Sequence, residues 1–167
     1  TDEAAGVSSS LNRPFLARER VYPLTAAAGG TDSRGIVLDP TARYACKGRV
    51  KPVDAAAVPP RTDADVARDL RACARKPLRV FLSNRTPAAL LVGELGTDVG
   101  RSGDETYDPE KLTFFDSVPL TAGPSKVFLA PIVDSEGKYA LRVFVVCFDA
   151  STVFVVDPDT RRLENVI

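Results

Sequence analysis

The tetrapeptide Leu-Arg-Val-Phe stands at residues 78–81 and again at 141–144, an offset of 63. Laid over one another without a gap, LRVFLSNRTPAALLVGELGT and LRVFVVCFDASTVFVVDPDT match apolar residue to apolar residue. Leu82 falls on Val145, Leu90 on Val153, Leu91 on Phe154 and Val92 on Val155. In the second copy two β-branched runs, 141–148 and 152–156, flank the short polar break Asp149-Ala150-Ser151. Strand, tight turn and strand predict an antiparallel hairpin. Asp157-Pro158-Asp159-Thr160 then turns the chain again, and 161–167 runs back as a third strand.

A second tetrapeptide, Pro-Leu-Thr-Ala, occupies 23–26 and 119–122, an offset of 96. After each copy comes a Gly-containing turn and an apolar strand, at 35–40 and at 126–131. Both copies therefore run PLTA, turn, strand, connection, LRVF strand, turn, strand. The offsets differ by 33 residues, which places an insertion in the first copy. This order reads as an internal duplication. The expected organisation is an N-terminal arm at 1–20, a first repeat at 21–120 interrupted by an inserted lobe at 41–76, and a second repeat at 121–167. Residues 20–28 and 111–120 read as further strands.

Inside the lobe, Val58-Pro59-Pro60-Arg61 is a stiff, extended entrance. Thr62 with Asp65 three residues on is a variant of the capping box. Val66, Leu70 and Cys73 then fall at i, i+4 and i+7, so the spacing predicts one helix over 63–75, ending before Pro77, and no other. Cys46 and Cys73 lie in this lobe. They either close a disulfide across 27 residues, which on the chain-entropy argument contributes roughly 3–4 kcal/mol, or remain two unpaired thiols. Cys147 sits mid-strand among Val145, Val146 and Phe148 and reads as a small buried hydrophobe. With no CxxC spacing a zinc site is not expected. Lys47, Arg49, Arg68 and Arg71 are the residues that would make the lobe an interaction surface; the alternative is a solvated basic helix face.

The chain has 167 residues, 22 Lys and Arg against 22 Asp and Glu, no His and no Met. Zero net charge, with Arg stretches interrupted by acids and prolines, gives no basic patch and argues against nucleic acid as a partner. Without His, the His-dependent triads and the commonest metal ligand are lost. The missing Met leads us to expect that a leader has been removed or that the chain is an internal piece of a longer one. No stretch approaches the roughly 20 apolar residues of a membrane-spanning helix. Asp104, Glu105 and Asp108 could offer oxygen ligands to Ca²⁺, but their spacing is not that of an EF-hand loop and a solvated acidic loop is the expectation. No catalytic constellation and no cofactor site are expected. Ala-, Arg-, Pro- and Val-rich usage points to a high-GC bacterial coding sequence.

Gly123-Pro124, the turn Asp134-Ser135-Glu136-Gly137 and the strand and turn at 153–160 resemble, in order and spacing, the YVTN-type β-propeller repeat of lactonase-like and bacterial cell-envelope proteins. Residues 78–95, with Ser83-Asn84-Arg85-Thr86, resemble the same strand pair in a preceding blade. The resemblance covers 21–39 and 78–167. It departs in the first copy, where 29–34 replaces the Gly-Pro turn and the insertion replaces a short one. It implies a mainly β chain of four-stranded antiparallel blades, about two of a ring that closes with roughly four to eight. A self-contained β-sandwich or barrel is the alternative fold. The expected function is a non-enzymatic extracytoplasmic scaffold (periplasmic, outer-membrane-associated or secreted). Its partners would be the remaining blades, of this polypeptide or a companion chain, and a protein at the cell surface. Part of a lactonase-like hydrolase and a structural β-domain of a larger assembly are the alternative functions.

Overall fold

The computed structural model describes residues 32–96, 112–133 and 135–167. The expected arm, the first PLTA with its strand and the acidic run at 104–108 lie outside those residues. Among the described residues, β1 (Ser33–Asp39) leads to two helices, α1 (Thr41–Gly48) and α2 (Asp63–Ala74). The strands β2 (Leu78–Asn84), β3 (Ala89–Leu95) and β4 (Leu112–Pro119) follow, then β5 (Lys126–Val133), β6 (Tyr139–Cys147), β7 (Thr152–Asp157) and β8 (Arg162–Val166). They make two four-stranded sheets, β1-β2-β3-β4 and β5-β6-β7-β8, in which every strand pairs antiparallel with its neighbour in sequence. The chain is thus mainly β, and neither sheet closes into a barrel.

The two sheets keep the register of the repeat. Phe81 on β2 pairs with Val37 on β1 and Val92 on β3. Its counterpart Phe144 on β6 pairs with Phe128 on β5 and Val155 on β7. The hairpin expected at 141–156 forms as β6 and β7, joined through a 3₁₀ turn at Phe148–Ala150 and left-handed Ser151 (φ 48°). The Asp157 carboxylate accepts from the Asp159 and Thr160 N–H groups (2.7 and 3.1 Å), fixing the next turn before β8.

Alternation along the strands gives each sheet two faces. The front of the first sheet, with Phe81, Leu90, Val92 and Val118, packs against the back of the second, with Val127, Val143, Val145, Cys147, Phe154 and Val156, in one cluster. Burying a side chain of this size contributes roughly 1.5–3 kcal/mol, so this layer is the main source of cohesion between the sheets. β1 lies along β5 at the seam. Gly35 permits that approach, because a Cβ there would stand 3.2 Å from the backbone nitrogen of Val127. Val80, Leu82, Ala89, Leu91 and Phe114 form a second cluster on the back of the first sheet.

The insertion folds as a helical pair. Thr62 accepts from Asp65 N–H while the Asp65 carboxylate takes the Thr62 N–H, so the capping box at the start of α2 is present in full. Cys73 on α2 is buried, but Leu70 of the expected stripe is exposed. Sequence spacing indicates a single helix here; there are two. α1 buries none of its residues, and over eight residues its apolar side chains are only Ala42, Tyr44, Ala45 and Cys46, too short a run to be read as a helix from sequence. What starts α1 is Asp39, whose carboxylate reaches past Pro40 to accept from the Thr41 N–H (2.9 Å) and hydroxyl (2.6 Å).

Candidate interaction surfaces

Three features of this fold could engage a partner: the seam between the sheets, the front of the second sheet, and the helical lobe. The seam is held by charge as well as by apolar packing. Arg79, on the front of β2, donates through Nε and Nη2 to Asp39 (2.9 and 2.5 Å) and through Nη1 to Asp159 and the Pro158 carbonyl (2.5 and 2.9 Å) of the second sheet. Asp39 is 2% exposed. Burial opposes its ionisation, yet hydrogen bonds from Thr41 and the Arg79 guanidinium outweigh it and hold the carboxyl below the usual carboxylate range. Arg85 with Asp149, and Arg161 with Asp116 (2.8 Å), also bridge the sheets. These groups neutralise one another, so the seam reads as a structural clamp.

The front of the second sheet is the repeat counterpart of the face that the first sheet buries. Phe128 is 50% exposed there, with Phe144, Val146 and Val153 half-buried beside it. Arg142, counterpart of Arg79, donates to Glu164 through Nε and Nη2 (2.5 and 2.8 Å) within its own sheet instead of reaching a further one. Three positions break the correspondence: Lys126 stands where Gly35 does, Phe148 where Arg85 does and Asn165 where Asp116 does.

In the lobe, Cys46 and Cys73 form the disulfide, with Cα atoms 5.4 Å apart, and so join α1 to α2. Of the four cations expected to make a surface, Lys47 lies on α1 and Arg49 just past its end, while Arg68 and Arg71 lie on α2. All four are exposed. Arg68 is drawn to Asp65 (2.9 Å) and Asp69 (3.6 Å), and Lys47 lies over the Tyr44 ring (5.9 Å to its centroid). Arg61, not singled out from sequence, also takes Asp69 (2.5 Å). Residues 41–76 contain nine Lys and Arg but four Asp, a net charge of +5 that the rest of the chain balances with −5. The basic patch that an uninterrupted Arg run would have signalled is absent from the linear sequence; folding and the disulfide assemble one.

Among the described residues, one thiol lies outside the disulfide. Cys147 is buried, its thiol pushed up by burial and by the Asp149 carboxylate, which removes the thiolate a nucleophile needs. No group of three or more His, Cys, Asp and Glu is placed to hold a metal among the described residues. No helix among them is long and apolar enough to cross a membrane. Compared with protein-family models, with curated proteins and with solved structures, the chain finds no match.

Proposed function

We propose that this chain is two blades of a non-enzymatic, extracytoplasmic β-propeller of the YVTN type, a scaffold that carries the helical lobe to a protein partner. One observation carries the reading. The sheets stack front to back, and the front of the second sheet repeats the apolar centre of the front that the first sheet buries. Front-to-back stacking uses two different surfaces at each contact, so it is heterologous, and here no sheet covers the front of the second sheet among the described residues. The remaining blades, of this polypeptide or a companion chain, are what this face receives. The disulfide favours an oxidising compartment outside the cytoplasm. Loops and insertions on a rigid scaffold are where recognition usually resides.

The test uses the 167-residue chain and its Phe128→Lys/Phe144→Lys double variant. The parent chain should bind the dye ANS and associate as its concentration rises, since a sheet face of this kind invites pairing. The double variant should lose both properties while keeping its unfolding transition. A parent chain that stays monomeric, binds no dye and matches the double variant would instead be a self-contained β-domain.

A further inference from the structure

The lobe concentrates positive charge about its disulfide in a way that the rest of the chain does not share. Lys47 and Arg49 lie within three residues of Cys46, and Arg71 within two of Cys73. With the two sulfurs bonded, cations from both helices share one end of the lobe. A shallow surface groove of about 290 Å³ runs beside the bridge, lined by Arg49, Asp69 and Lys76 together with Cys46, Val50, Ala72 and Cys73. Lys51 stands in a neighbouring groove with Arg61 and Arg68.

The lobe's own acids do not neutralise this charge. Asp65 and Asp69 are engaged by Arg61 and Arg68, Asp54 accepts from the Ala56 N–H (3.0 Å), and Asp63 stands in the first turn of α2, at the far end of that helix from Cys73. No carboxylate pairs with Lys47, Arg49, Lys51 or Arg71 among the described residues. The covalent link between α1 and α2 fixes the two helices that carry these cations to one another. Exposed apolar groups stand among the cations: Tyr44 is 65% exposed and Leu70 41%. A purely electrostatic surface has no use for them, whereas Tyr and Arg together are typical of protein contacts.

We infer that the Cys46–Cys73 bridge holds Lys47, Arg49, Lys51 and Arg71 as a docking surface for an acidic, Leu- or Phe-containing segment of a partner protein. Arg and Lys take the partner's carboxylates, and the Tyr44 and Leu70 side chains take its apolar residues. The inference rests on reading the lobe as the recognition element of the scaffold.

The experiment uses the full chain and two fluorescein-labelled peptides, one of repeated Glu-Glu-Leu units and one of Gln-Gln-Leu units, read by fluorescence anisotropy. The Glu peptide should bind at low salt and the Gln peptide should not. Affinity should fall at least about tenfold on going to physiological salt, as expected of exposed charges. The Lys47→Glu/Arg49→Glu/Arg71→Glu variant should lose at least about tenfold and its Gln counterpart at least about threefold, the latter guarding against misfolding. Arg162→Glu, exposed on β8, should leave binding unchanged. Reduction of the disulfide should weaken binding by letting the cations separate. Absence of binding at low salt, equal loss in Arg162→Glu, or indifference to reduction would each overturn the inference. So would tighter binding to phosphatidylglycerol–phosphatidylcholine vesicles or to dextran sulfate, which would make a membrane or a polysaccharide the occupant. The dye and association assay on Phe128 and Phe144 is independent of these charges, so the scaffold reading and the acidic-partner inference fail separately.

Discussion

The fronts of the two sheets are one design in two situations. Phe81, Leu90 and Val92 are each at most 1% exposed, because the second sheet lies on them. Phe144, Val153 and Val155 occupy the same repeat positions, yet the Phe128–Phe144 side of their face meets solvent. The difference goes with position in the stack and also with composition, since Lys126, Phe148 and Asn165 replace the Gly35, Arg85 and Asp116 of the covered front. In a front-to-back stack every sheet carries both surfaces, and the last front is left over. The sharpest way to break the comparison is to truncate both phenylalanines. Phe81→Ala should cost roughly 3–5 kcal/mol, the price of an emptied site in a packed layer. Phe144→Ala should cost less, roughly 1–2 kcal/mol, since its ring is already partly in water. Urea unfolding of the isolated chain checks this, and equal costs would mean that the two fronts are equally covered.

The arginines of the repeat sharpen the same contrast. Arg79 crosses to the next sheet and also neutralises a carboxylate that is nearly inaccessible, whereas Arg142 stays within its own sheet on Glu164. Removing Arg79 strands Asp39 as a buried charge that only Thr41 still satisfies. Arg79→Ala is therefore expected to cost roughly 2–3 kcal/mol, at the low end for a broken buried pair because Arg79 is itself about a quarter exposed. Arg142→Ala should cost less, roughly 1 kcal/mol, because Glu164 is more than a third exposed and the part-buried Asp157 lies at 3.9 Å and keeps its own turn hydrogen bonds. Urea midpoints for the two variants should differ accordingly. Parity between them would show that the seam draws little from its clamp.

Local chemistry was legible in the sequence, and whatever depended on distant partners was not. The β6–β7 hairpin follows from a run, a polar break and a run, and the start of α2 from Thr62 and Asp65, all of which act over a few residues. The pairing of Cys46 with Cys73 could be reached because the insertion bounded the choice to two cysteines. α1 escaped because its buried anchor, Asp39, precedes the helix and only the small residues Ala42, Ala45 and Cys46 mark its apolar side over eight residues. Arg79 was visible in both copies of the repeat, but Asp39 and Asp159 stand 40 and 80 residues from it. The charge of the lobe escaped for a simpler reason. Arg and Lys were read as runs along the chain, whereas counting them within residues 41–76 gives the excess directly.

The smallest of the expected effects tests the clamp by pH. Because the Asp39 carboxyl is held below its ordinary value in the folded chain, its ionised form contributes stability above the unfolded value near pH 3.9. That contribution is lost as pH falls through the lower folded value, when the carboxylate that Arg79 and Thr41 hold takes up a proton. Asp157 is held low as well. Burial opposes it, but the Thr160 and Asp159 N–H groups and Arg142 prevail, so acid weakens both sheets. Urea midpoints should be nearly flat from about pH 7 to pH 5 and should then fall below about pH 4. Asp39→Asn cannot release or bind this proton, so its slope in that window should be shallower by up to one proton's worth, about 1.4 kcal/mol per pH unit. Asp157→Asn should remove its own share of the slope and leave that of Asp39 intact. A slope that Asp39→Asn does not change would place the acid lability elsewhere and reduce the buried carboxylate to a passive member of the seam.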